Sequence, residues 1–253
     1  MAVRNHPALS KLWRNHMLFQ NELLLIASVF VYFGALVLFF RLFGKNGVFA
    51  WTVICTIAAN IEVLILVHAF GIDATLGNVL FASSFLATDI ISEIYGKKEA
   101  NKCVYIGIAA NISFILISQS WFLFVPAEND FMSPAIKTVF ANTPRIMFSS
   151  IFAYAVCEIY DVWAYHFIWA KTEKKSGSKE KYLWLRNNGS TAVSQLINSV
   201  LFNVLAFAGV YPANTLFQII AFGYVIFIFT TLLDTPFIYL ARRIARKHPE
   251  LVE

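Results

Sequence analysis

The chain has 253 residues, of which 58% are hydrophobic and only 14% charged. Soluble domains carry about 45–50% apolar and ~25% charged residues. This composition, with 25 phenylalanines and a mean hydropathy of +0.64, excludes a soluble globular protein and places the chain in a lipid bilayer. The net charge of +5 does not point to nucleic acid, because the basic residues fall in short clusters between apolar runs and form no groove or RNA-binding motif.

The N-terminal segment 1–22 reads as a tail, and the apolar run beginning near Leu23 is too long for a signal-peptide core, so it reads as an uncleaved span. A helix needs about 20 apolar residues to cross the hydrocarbon core. Seven stretches qualify, at 23–43, 48–70, 75–95, 100–125, 145–169, 189–210 and 215–240. The expected fold is therefore an all-α polytopic membrane protein, with an extra N-terminal span (23–43), a six-helix core (44–241) and a basic C-terminal tail (242–253). The longer connections are 126–144, with Pro126, Pro134 and Pro144, and 170–188, with Lys171, Lys174, Lys175, Lys179, Lys181 and Arg186.

Lys and Arg fix the orientation, since cytoplasmic loops hold the excess. The first, third and fifth loops and the C-terminus share one side, and that side carries fifteen of the twenty basic residues. The expectation is a bacterial plasma-membrane protein with a cytoplasmic C-terminus and an external N-terminus. The three basic residues Arg4, Lys11 and Arg14 pull the N-terminus the other way. A peripheral 23–43 segment would leave six spans with both ends inside.

Cys55, Cys103 and Cys157 have no paired spacing, and the five histidines are scattered, so neither a disulfide framework nor a metal site is expected. There is no G-x-x-x-x-G-K-[ST] phosphate loop. No cofactor is expected.

Carboxylates carry the chemical signal. Asp89 and Glu93 lie four residues apart in Leu86-Ala-Thr-Asp-Ile-Ile-Ser-Glu-Ile-Tyr-Gly-Lys-Lys-Glu-Ala100 and share a helix face. An ionised acid within a span costs at least about 2.5–3.5 kcal/mol, so such residues usually serve a function. The alternative is a helix that stops near Ala87 and leaves both acids in headgroup water, but the Gly96-Lys97-Lys98 turn marks a later boundary. Glu62, Glu158, Asp161 and Asp234 also fall within spans. No Lys or Arg lies well inside any span, so these acids are expected to lack a cationic partner. They are protonated, line a wet cavity, or await a ligand.

Glu158 and Asp161 share one face of the fifth span. Glu62, beside Asn60, is either satisfied by neighbouring helices or functional. Asp234 either satisfies backbone freed by Pro236 or binds ligand. Ser194, Gln195, Asn198 and Asn203 follow helical spacing along the sixth span, as interhelical bonds or as ligand contacts.

The block Ser84-Phe-Leu-Ala-Thr-Asp-Ile-Ile-Ser-Glu-Ile-Tyr-Gly-Lys-Lys98, with Trp184-Leu-Arg-Asn-Asn-Gly-Ser-Thr191, Ser194-Gln-Leu-Ile197 and Leu233-Asp-Thr-Pro-Phe237, resembles the queuosine precursor transporter family, also called the vitamin uptake transporter family. The resemblance covers roughly residues 48–240. Two departures stand out. Cys157-Glu158 stands where the family tends to have Ser-Gln, and Gln195-Leu-Ile-Asn198 where it commonly has Gln-Leu-Ile-Asp. An acid has appeared in the fifth span and one has gone from the sixth.

The resemblance implies import of 7-deazaguanine bases such as preQ0, preQ1 or queuine for queuosine in tRNA. A carboxylate can accept the paired N–H groups of a guanine-like edge. Gln195 or Asn198 could read the carbonyl, and a second acid would suit the aminomethyl cation of preQ1. The candidate substrate-binding residues are Asp89, Glu93, Glu158, Asp161, Gln195, Asn198, Asn60 and Asp234, in an alternating-access site formed mainly by the third, fifth and sixth spans.

Three functions compete. The first is a stand-alone secondary transporter of a 7-deazapurine, with homo-oligomers left open. The second is the substrate-binding subunit of an energy-coupling system, disfavoured because the first two spans lack the A-x-x-x-A pattern that couples to ATPase partners. The third is an intramembrane aspartyl protease using Asp161 and Asp234, disfavoured because no Gly-x-Gly-Asp block is present. Transport without enzymatic activity is the expectation.

Overall fold

The computed structural model describes residues 7–70, 72–140 and 144–252, whose regular structure is helical apart from one short antiparallel hairpin and an isolated bridge between Ala208 and Tyr211. Helix α1 (Pro7–Glu62) reverses at Gly44, whose φ of 57° and ψ of −139° are neither helical nor open to a side chain without strain. Its two arms then run antiparallel. Tyr32 donates to Glu62 across them at 3.3 Å, and the Phe39 and Trp51 rings lie 5.5 Å apart. The reversal accounts for two of the seven expected passes. The segment expected as an N-terminal tail is helical from Pro7 onward, and residues 1–6 lie outside the described ones.

The second expected span, 48–70, is shorter than its apolar run. The helix ends at Glu62, and Leu66–Ala69 (β1) pairs with Ile72–Thr75 (β2) as a hairpin. β-branched and apolar residues serve strands as well as helices, so apolarity alone did not mark this end. The remaining elements are α2 (Gly77–Tyr95), α3 (Lys97–Ser120), a short α4 (Ser133–Phe140) inside the expected loop, α5 (Pro144–Ser176), α6 (Leu183–Phe207) and α7 (Ala213–Lys247).

Among the described residues, five helices are long and apolar enough to cross a membrane: the Gln20–Glu62 stretch of α1, α3 with its 3₁₀ extension to Leu123, α5, α6 and α7. Their outer faces expose Phe30, Leu42, Phe148, Phe217 and Phe229, an arrangement suited to lipid. The chain is an all-α, multi-pass membrane protein.

Helix α2 differs from the rest. Its 19 residues span about 28 Å at 1.5 Å per residue, and every residue from Ala82 to Ser92 is buried among neighbours. It packs against α1, α3, α5 and α7. Enclosed by protein, α2 can carry Ser84, Thr88, Asp89 and Ser92 where a lipid-facing helix could not.

Most turns with basic residues gather at one end. Lys45 pairs with Glu99, Arg246 with Glu180, and the Tyr95 hydroxyl donates to the Leu251 carbonyl. The hairpin and the turn at Gly209 lie at the other end.

Candidate functional site

Between the two ends runs a column of buried polar side chains from α2, α5, α6 and α7. Glu158 accepts hydrogen bonds from Ser84 at 2.7 Å and Thr88 at 2.9 Å. Asp89 accepts from Thr191 at 3.1 Å, and Asp161 from Ser194 at 2.8 Å. Asp234 accepts from the Asn187 amide at 2.6 Å. Asp89 and Asp161 lie within hydrogen-bonding reach of each other, and Asp234 is close enough to interact electrostatically with both. All four acids are buried.

This cluster is incompletely satisfied. Asp89 Oδ1, Asp161 Oδ2, the Asn187 side-chain oxygen Oδ1 and both polar atoms of the Gln195 amide are buried without a donor or acceptor of the ordinary kind. Buried polar groups normally have partners, and each exception needs an explanation. Thr191, Gln195 and Asn198 fall on one face of α6, so the unpartnered Gln195 sits between the residue that holds Asp89 and an asparagine that faces a cavity.

Glu93 differs from the other candidates and corrects the expectation that the acids lack cations. Arg186 grips both its oxygens, with Nε at 2.9 Å and Nη2 at 2.7 Å. Arg242 approaches from α7 at 3.3 Å, and the Tyr165 hydroxyl donates at 2.7 Å. The Arg186 guanidinium lies over the Trp169 ring at 4.1 Å and donates to the carbonyls of Lys181 and Lys179. A forked arginine–carboxylate contact is among the strongest side-chain hydrogen bonds. Here it ties α2, α5, α6 and α7 together at the basic end.

Sequence reasoning put Arg186 in a loop. Helix α6 starts at Leu183, six residues before the apolar window, after Tyr182 in the left-handed region and with no side-chain cap. No start signal of the usual kind was there to read.

Above the acids, towards the hairpin end, the helices part around a cavity of about 600 Å³, within the usual range for small-molecule sites. Asn60 and Asn198, both expected at the site, line it. Asn60 is spent on protein: it donates to Asn111 Oδ1 and to the Thr56 carbonyl, and accepts from Ser150. Asn111, which faces Asn60 from α3, was not foreseen because a lone asparagine in an apolar run has no partner visible in sequence.

Glu62 lies away from the acid column on α1, bonded to Tyr32. The structure therefore brings Asp89, Glu158, Asp161, Asp234 and Gln195 into one column, puts Asn60 and Asn198 in the adjoining cavity, and sets Glu93 in an ion pair. Among the described residues, no group of three or more His, Cys, Asp or Glu could hold a metal ion.

Residues 75–241 match the family model described as "Putative vitamin uptake transporter". The chain belongs to that family. A "Probable queuosine precursor transporter" from Bacillus subtilis (strain 168) is 35% identical over 226 residues, covering 89% of this chain and 96% of that protein. No solved structure matches. The matched region contains α2 to α6, α7 as far as Ala241 and the whole acid column, and leaves the reversing helix α1 and Arg242 outside.

Proposed function

We propose that this protein imports a queuosine precursor, a 7-deazaguanine base, across the bacterial plasma membrane as a stand-alone secondary transporter. One observation carries the reading: the Gln195 amide is buried with no partner on either atom, beside an Asp89–Asp161 pair that needs a shared proton or an outside donor to be satisfied. A guanine-like edge supplies what these groups lack. Its ring N–H and amino group donate together to a carboxylate, and its carbonyl accepts from an amide. The name of the Bacillus subtilis relative points to the same ligand class.

Asp89, Asp161 and Gln195 are the groups best suited to contact the base, with Glu158 and Asp234 around them and Asn198 in the adjoining cavity. Glu93 serves transport by holding the basic end together. By the positive-inside rule that end is cytoplasmic, and the cavity faces outward. Alternating access then requires the Glu93–Arg186–Arg242 cluster to separate as the cavity closes. The chain has no phosphate loop, and import driven without ATPase partners is the simpler mode.

The test is uptake of preQ0, preQ1 and queuine by a bacterium lacking its own synthesis and salvage, supplied with the downstream enzymes and read as queuosine in tRNA. The expected result is restored queuosine in a host without energy-coupling ATPases, and its loss with Asp89→Asn at equal membrane abundance. No queuosine from any of the three bases, with the protein in the membrane, overturns the substrate. Restoration only when the ATPases are present overturns the stand-alone mode.

A further inference from the structure

The cavity and the acid column are two compartments. A layer of rings divides them: Phe81 stands 6.1 Å from Tyr154 and 6.2 Å from Phe227, and all three line the cavity. One turn deeper on α2, α5 and α7 lie Ser84, Glu158 and Thr231. The carboxylates therefore sit behind the ring layer. No lining residue of the cavity carries a charge.

What the cavity does offer is amides with spare capacity. Asn198 makes no side-chain hydrogen bond among the described residues, Asn111 uses only its carbonyl, and Asn203 uses only its NH₂ group, on the Ser199 carbonyl. Phe202 and Phe222 supply flat apolar faces on the wall. Donors, acceptors and rings without charge suit a planar heterocycle that carries both N–H and carbonyl groups. A cation entering this compartment would lose hydration without meeting a carboxylate.

We propose that the cavity is an entry subsite, distinct from the acid column, that holds an uncharged planar lactam heterocycle on Asn111, Asn198 and Asn203, and that the Phe81–Tyr154–Phe227 layer must part before the ligand reaches the acids. The ligand class rests on the function proposed above. The division into two compartments rests on the geometry alone.

A cysteine reporter tests it. Gly223 lines the cavity, and a Cβ there would meet only Ser199 Oγ, at an ordinary 3.5 Å. The native Cys55, Cys103 and Cys157 are all buried, which gives a low background. Gly223→Cys, with Gln218→Cys as a second reporter should the first fold poorly, is labelled by a charged, membrane-impermeant methanethiosulfonate. Uptake is measured in the same cells.

Saturating preQ0, the uncharged nitrile base, is expected to slow labelling roughly tenfold, and preQ1, charged at its aminomethyl group, to require roughly tenfold more for equal protection. Asn198→Ala should remove protection. Asp89→Asn should keep it while losing uptake. Unslowed labelling in a reporter that still imports preQ0 overturns the subsite and leaves the function standing. Protection lost as fully in Asp89→Asn as in Asn198→Ala also overturns it, because one shared site then explains both. Failure of the unsubstituted protein to import any of the deazaguanines, with neither reporter protected by any of them, removes the substrate class itself.

Discussion

At the basic end of the bundle, Glu93 is held by two arginines and a tyrosine drawn from three neighbouring helices. In mid-bundle, Asp89 and Asp161 have hydroxyl donors but no cation, and between them they need a shared proton or an outside donor. Asp89 and Glu93 are one helical turn apart on α2 and look equivalent in sequence, yet their surroundings give them opposite characters. A buried carboxylate with a forked arginine is a structural tie. One without a cation has capacity for a ligand or a proton.

That contrast can be broken in order of expected effect. Asp161→Asn should reduce uptake to background while leaving thermal stability in detergent unchanged or higher, because it removes a like charge beside Asp89. A large fall in melting temperature would show that Asp161 is structural.

Arg186→Ala should be the most destabilising single change, about 3–5 kcal/mol, because it leaves Glu93 buried with only the more distant Arg242. Combining it with Glu93→Leu should recover part of that loss. A double variant no better than the sum of the singles would mean that the pair is not coupled. Glu93→Gln should lower both uptake and melting temperature, unlike Asp161→Asn.

Gly107→Ala sharpens the comparison from the third side of the column. A Cβ on α3 there would stand 2.1 Å from the Tyr154 hydroxyl, so the ring layer must shift, at about 1–3 kcal/mol. Reduced stability with altered uptake is expected, and unaffected behaviour in both would show the layer to be loose.

Asp130→Asn should matter least. The Ser133 hydroxyl, with the Met132 and Ser133 backbone N–H groups, holds the exposed Asp130 carboxyl below its usual range. These bonds are fully present above the ordinary carboxylate pKa and are lost as pH falls through the lowered value. The turn is remote from the column, so uptake should change less than about twofold.

Much of this was legible in the chain. Long apolar runs located the helices, and the i to i+4 spacing placed Asp89 and Glu93 together inside the protein. The acids of α5 and α7 and the amides of α6 were visible as polar residues that a lipid-facing helix has no use for. What could not be read was pairing across helices. Arg186 looked like a loop residue because its helix begins without a cap, and the separation of Glu93 from the other acids follows from that one residue. The end of α1 at Glu62 was hidden because Val63 to Phe70, apart from His68, is as apolar as the helix before it.

The hydroxyl of Tyr95 bonds to the carbonyl of Leu251, 156 positions later, and Leu251 also covers the reversal at Gly44. During synthesis, the tip of the first helical pair and the foot of α2 must therefore wait through α3 to α7 before Leu251 emerges to meet them. A bulky group placed beside Leu251 would press on the joint that closes the basic end of the bundle.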